Sequence, residues 1–173
     1  MAKKPPSPSS TTSGPDGPAP QISFRPIQDR DLDFLRRLYA TTRDYEMKML
    51  DWSRKQKQDF LGQQFEAQHR HYMKHFPQAE FSLILLDGQA AGRLYLDRRP
   101  DEIRLVDIAL LPKFRNQGVG GRLMERVLNE GRKKNLPVRI HVEKFNPAMR
   151  LYRRLGFTHI EDQGVYFLME WKP

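Results

Sequence analysis

Residues 106–122 read Val106-Asp107-Ile108-Ala109-Leu110-Leu111-Pro112-Lys113-Phe114-Arg115-Asn116-Gln117-Gly118-Val119-Gly120-Gly121-Arg122. An apolar run stops at a proline. A basic stretch and three glycines follow, and then L-M-E-R-V-L, spaced as one face of an amphipathic helix. Strand, glycine loop and helix in that order can build an anion site. Glycine lets backbone N–H groups approach a ligand, and a helix start carries about half a positive charge. The same order also describes an ordinary strand-to-helix turn, so the rest of the chain has to decide.

Upstream, three strands are expected. Phe81–Leu86 runs into the turn signal D-G-Q, Ala90–Asp97 follows, and after R-R-P-D comes Glu102–Leu111. The three read as an antiparallel meander. Before them, I-S-F-R-P-I from Ile22 alternates as a first strand. Asp29 or Asp31 then caps a helix carrying Leu32, Phe34, Leu35, Leu38 and Tyr39. Residues 43–52 fit either a loop or a frayed helix end. A long helix from Ser53 to His75 follows, with Phe60, Leu61, Phe65 and Tyr72 near one face. His71 and His75 on it have metal-ligand spacing, but no neighbouring Glu completes a zinc motif, and a solvated basic face is the simpler reading.

Downstream, a helix over Val119–Asn135 leads through Pro137 to the strand V-R-I-H-V-E. A short helix from Pro147 to Leu155 stops at Gly156, and strands Thr158–Glu161 and Val165–Trp171 close the chain. The order is mixed α/β (α+β), without an internal repeat.

Residues 1–20 are Pro, Ser, Thr and Gly with almost no apolar side chain, so residues 1–21 are expected to be a disordered tail and 22–173 one folded domain. The tail lacks a signal-peptide core, and no run approaches the roughly 18 apolar residues of a membrane span. With no cysteine, disulfides, thiolate metal sites and a Cys nucleophile are excluded. A cytoplasmic protein without membrane or metal is expected. The net charge of +9 is spread along the chain in short pairs, which reads as a solvated basic surface, with no nucleic-acid recognition motif.

Two motifs share this chain. Arg115-Asn116-Gln117-Gly118-Val119-Gly120 sits at the strand-to-helix junction. Asn146-Pro-Ala148-Met-Arg-Leu-Tyr152-Arg-Arg-Leu-Gly156-Phe157 follows one strand later. Together, in this order, they resemble the GNAT superfamily of N-acetyltransferases, and the resemblance covers about residues 22–173. It implies a mostly antiparallel mixed sheet flanked by helices, with a V-shaped splay between the fourth and fifth strands. It also implies acetyl-CoA as co-substrate, an amine acceptor, and a homodimer as a common assembly.

The resemblance assigns roles by position. The backbone of Asn116, Gln117, Gly118, Val119, Gly120 and Gly121 is expected to hold the pyrophosphate, with Arg115 adding charge near the phosphates. The main chain of Ile108, Ala109 and Leu110 is expected to pair with the pantetheine arm, and the Leu110 N–H to bond the thioester carbonyl. Asn146 starts the second motif's helix as its N-cap and a cofactor contact.

Tyr152 is the candidate general acid. A leaving thiolate near 8.5 and a phenol near 10 make donation mildly uphill, unless the site favours phenolate or donation comes late. For the base, His141 ranks first, on the strand between the motifs, with Asp107 next and Glu102 as a further competitor. Family members acting on protein N-termini can carry Glu where His141 stands. The departure weighs against such a substrate and for a small-molecule amine, with a peptide amine as rival. Segment 43–52 and the turn near Asp162–Gly164 are expected to border the acceptor. Asp44, Glu46 and Asp51 could attract a cationic amine, but ordinary surface acids are the simpler reading. A CoA-binding module without catalysis is the alternative function.

Overall fold

The computed structural model describes residues 18–173. The tail expected over residues 1–21 thus lies mostly outside the described residues. Residues 18–21 lead into strand β1 (Ile22–Pro26), and Arg122 and Arg126 donate to the carbonyls of Pro20 and Ile22 at 2.9 and 3.3 Å.

After β1 come helices α1 (Leu32–Thr42), α2 (Asp44–Lys48) and α3 (Arg54–His75). Ser53 begins α3 with a reciprocal cap: its hydroxyl accepts from Gln56 N, and the Gln56 side chain accepts from Ser53 N. The ambiguous segment 43–52 therefore holds one short helix and a linker. Strands β2 (Glu80–Leu86), β3 (Gln89–Arg98) and β4 (Ile103–Leu110) form the expected meander. Helix α4 (Val119–Lys134), β5 (Val138–Glu143), α5 (Met149–Arg154), β6 (Thr158–Gln163) and β7 (Tyr166–Trp171) complete the chain.

The strands form one sheet in the order β1-β2-β3-β4-β5-β7-β6, antiparallel except for β4 and β5. Helices α4 and α5 cover one face. Leu94, Leu96, Leu105, Leu123, Leu128, Val142 and Tyr152 pack into the core there. Helices α1 and α3 cover the other face through Leu35, Tyr39, Phe65 and Leu83. Among the described residues, no helix is long and apolar enough to cross a membrane.

Two irregularities shape the centre of the sheet. The parallel pairing of β4 with β5 covers only Ile103↔Val138, Arg104↔Arg139 and Leu105↔Ile140. Beyond Leu105 the two strands part, which is the expected splay between the fourth and fifth strands. A bulge also interrupts β3–β4: Tyr95 faces Asp107 while Leu96 faces Leu105, so Val106 is the extra residue. Strand side chains alternate faces, so one extra residue moves Asp107 away from Leu105's side. It lands on the α3 side, beside Tyr95. At Gly92 the backbones of β3 and β4 come so close that a Cβ would lie 2.1 Å from the Ala109 carbonyl oxygen.

Candidate active site

The edge of β4 at the splay is open main chain. Leu111 N donates to Ala91 O at 2.8 Å, so its amide points to β3. Amides alternate sides along a strand, and those of Leu110 and Ile108 point toward the gap beside β5. The Leu110 carbonyl faces the same way and accepts from Arg115 Nε at 2.7 Å. A second nitrogen of Arg115 donates to Thr41 Oγ1 at 2.8 Å. The Arg115 guanidinium therefore braces the end of β4 against α1. Its Nη1 makes no hydrogen bond to the described residues.

The glycine loop leads directly into α4. Asn116 and Gly118 take left-handed backbone angles (φ 57° and 77°), which Asn and Gly tolerate best. Gln117 folds back, with Nε2 donating to Lys113 O at 2.7 Å. The first helical bond of α4 joins Arg122 N to Gly118 O. The amides of Val119, Gly120 and Gly121 are therefore without helical acceptors. Beyond the adjoining backbone, a Cβ at Gly118 or Gly121 would meet nothing within 4 Å, whereas one at Gly120 would touch Leu151. Free amides beside open space at a helix start fit an anionic group such as a pyrophosphate.

Tyr152 reaches the gap from α5. Its side chain is buried against Phe157 and the α4 core. Sealed polar atoms without partners are His69 Nδ1, Arg93 Nε and Tyr95 Oη. The Tyr152 hydroxyl is not one of them. Burial raises its pKa well above the usual phenol value, and the nearby charge of Asp107 adds to the rise. The site thus disfavours the phenolate, the reverse of the first of the two ways out named above. Late donation is what remains. Asn146 lies three residues before α5 rather than at its cap. Its Oδ1 accepts from Ala148 N at 2.8 Å, making a side-chain turn that launches the helix.

The three base candidates end in different situations. Glu102 is buried and bound by Arg99, Arg104 and Arg139, at 3.1, 2.9 and 2.8 Å. It cannot reach a substrate. His141 lies exposed on β5, and Arg104 approaches its Nδ1 at 2.9 Å. Arginine only donates, so Nδ1 must offer its lone pair and the neutral ring carries its proton on Nε2. Partial burial and the Arg104 charge lower its pKa. His141 in this state has no free lone pair, a physical argument against the base role. Asp107 Oδ2 accepts from Arg93 at 2.7 Å and from the Tyr72 hydroxyl at 2.9 Å. Its Oδ1 accepts no hydrogen bond from the described residues.

The rim is built by α2 and the end of β5. Arg43 bridges Glu143 at 2.9 Å and Glu46 at 3.1 Å. Phe145, Tyr45 and Tyr166 stand exposed around that bridge, Phe145 almost entirely so. The alternation pattern gives no warning of these exposed aromatics. His71 and His75 stack at 4.1 Å, and no group of three potential metal ligands occurs among the described residues.

A sequence profile of the acetyltransferase (GNAT) family matches residues 40–157. The chain belongs to that family. It is therefore an acyl-transfer enzyme by class, and acetyl-CoA is its acyl donor. Solved structures share the fold at low identity. The PaiA N-acetyltransferase of Thermoplasma acidophilum, in complex with coenzyme A, is 18% identical over 88% of this chain and 99% of its own, with a TM-score of 0.65. The ribosomal-protein-S18-alanine N-acetyltransferase of Escherichia coli is 19% identical over 88% and 94%, with a TM-score of 0.56. A GNAT family acetyltransferase of Elizabethkingia anophelis with acetyl-CoA bound is 18% identical over 88% and 98%, at 0.55.

Proposed function

We propose that this chain is an N-acetyltransferase that moves the acetyl group of acetyl-CoA to a primary amine by direct attack, without a covalent enzyme intermediate. The observation that carries the reading is that β4 and β5 stop pairing after Leu105, which leaves the β4 main chain from Ile108 to Leu110 open beside Asp107, whose charge is close enough to Tyr152 to raise its pKa.

Acetyl-CoA, when bound, supplies an activated thioester carbonyl. The amides of Val119, Gly120 and Gly121, with the positive end of α4, hold its pyrophosphate. The edge amides of Ile108 and Leu110 receive the pantetheine arm as an added strand, and the Leu110 N–H serves the carbonyl oxygen. Arg115 keeps that edge in place through the Leu110 carbonyl. An alkyl amine arrives mostly protonated; Asp107 Oδ1 takes one proton, the freed amine attacks the carbonyl, and the second proton that nitrogen loses as the C–S bond breaks makes good the one Tyr152 gives to the leaving sulfur. Tyr152, kept protonated by burial, donates to the sulfur late, after charge has developed there.

The acceptor class favoured by His141 in place of Glu is a small-molecule amine. A peptide amine is the second class, favoured by the exposed Tyr45, Phe145 and Tyr166 around the Arg43–Glu143 bridge. The E. coli neighbour named for ribosomal protein S18 alanine makes it worth testing. Release of the CoA thiol, measured across polyamines, aminoglycosides and peptides with free N-termini, tests the proposal. Amine-dependent thiol release is expected. Tight acetyl-CoA binding with no amine-dependent release would instead favour a CoA-binding module.

A further inference from the structure

Arg93 lies in the middle of β3 and is almost fully buried beneath α3. Taking a guanidinium and a carboxylate out of water costs several kcal/mol per ion, and an apolar pair of equal volume would fill the space as stably or better. Stability alone therefore does not explain an arginine here.

The surroundings suggest a different use. Arg93 donates to Gln68 of α3 at 2.8 Å and to Asp107 Oδ2 at 2.7 Å, and its guanidinium lies 5.2 Å from the centre of the Tyr95 ring. Tyr72, one turn beyond Gln68 on α3, donates to the same Oδ2 at 2.9 Å. Both donors fall on one carboxylate oxygen and none on the other. The β4 bulge is what brings Asp107 to this side of the sheet. Tyr72 of α3, a buried cation braced by Gln68, and a bulge thus converge on the Asp107 side chain.

We propose that Arg93 and Tyr72 are positioning residues for acetyl transfer. By holding Asp107 Oδ2 they fix the carboxylate so that Oδ1 is presented to the acceptor amine. The inference rests on the reading of Asp107 as proton acceptor, and it adds α3 to the catalytic apparatus. Tyr72 makes no direct substrate contact in this scheme.

The test uses the full chain, acetyl-CoA, and spermidine and tri-alanine as representative small and peptide amines. Asp107→Asn is expected to lower kcat about 100-fold. Tyr72→Phe removes only a hydroxyl and is expected to lower kcat about tenfold. In Tyr72→Phe the affinity for acetyl-CoA should stay close to the parent value, and the thermal midpoint should fall by no more than the loss of one hydrogen bond. In Asp107→Asn/Tyr72→Phe the two effects should not multiply, because one acts through the other. Multiplying effects, or an unchanged kcat in Tyr72→Phe, overturn the positioning role while leaving Asp107 as base. An unchanged kcat in Asp107→Asn overturns both. A crystal structure of Tyr72→Phe gives a readout independent of the acceptor. A displaced Asp107 carboxylate supports the proposal, and an unmoved one overturns it.

Discussion

Arg104 donates to Nδ1 of His141 at 2.9 Å, and that contact separates a well-placed imidazole from a usable base. The ring sits where the sequence motif puts a proton acceptor, yet its one free lone pair faces a residue that can only donate. His141→Gln is expected to leave kcat within about threefold of the parent, far from the 10²-fold or greater loss that removal of a general base produces. A side-by-side kcat comparison with Asp107→Asn decides between the two residues.

Gly121 offers a test in which stability and affinity move in opposite directions. A glycine in a helix costs roughly 0.5–1 kcal/mol relative to alanine, and a Cβ there would meet nothing within 4 Å beyond its own helix turn. Gly121→Ala is expected to raise the thermal midpoint while weakening acetyl-CoA binding. Calorimetric titration beside a melting curve reads both. A variant with a higher midpoint and unaltered affinity would mean that no ligand backs onto this glycine.

Tyr152→Phe is expected to lower kcat about 100-fold with acetyl-CoA affinity within twofold, since the ring stays packed against Phe157 and only the proton is lost. Equal turnover in the two proteins would remove the hydroxyl from the chemistry.

Arg43 joins the start of α2 to the end of β5 across the rim. Arg43→Ala should raise the acceptor KM severalfold, with little change in acetyl-CoA affinity or midpoint, because a half-exposed ion pair contributes roughly 0–1 kcal/mol to stability. A rise in the acetyl-CoA dissociation constant instead would place this bridge on the donor side.

Acid sensitivity has a specific source. Burial lowers the pKa of His69, whose Nδ1 is sealed without a partner, and burial with Arg104 lowers that of His141. In the unfolded chain both rings take a proton near 6.5. Below that pH the unfolded state binds more protons than the folded one, so stability falls as the pH drops from about 6.5 through the lower folded values. Urea midpoints at pH 7.5 and 5.5 should differ less in His69→Phe, which keeps the stacking on Phe65, than in the parent. An identical difference would assign the acid sensitivity to other groups.

Much of the fold is legible because its signals are local. Ser53 and Gln56 mark the start of α3, Asp87 and Gly88 mark a hairpin, and Gly118 marks the entry to α4. The proposed donor site is legible for the same reason, being mostly main chain shaped by glycine. The acceptor side is not. Simple alternation groups Asp107 with Leu105 on one face. The extra residue at Val106 breaks that count, and a bulge leaves no composition signature here. Arg93 and Tyr72 then escape notice, since one looks like a solvent-facing strand residue and the other like helix packing. The state of His141 depends on Arg104, 37 positions away, a pairing that no spacing rule supplies.

Three register pairs between β4 and β5, with the bond from Ile103 N to the Pro137 carbonyl at their foot, join the two halves of the sheet. The sheet is consequently two leaves on a short spine, one from β1 to β4 and one of β5, β7 and β6. A ligand wedged between the leaves replaces missing rungs, so its arrival stiffens the spine from the open end downward. Amide exchange along the facing edges of Ile108, Leu110 and the end of β5 should slow together when donor binds. Exchange at β1, β2 and the outer β6 should stay as it was, because the leaves themselves are already complete.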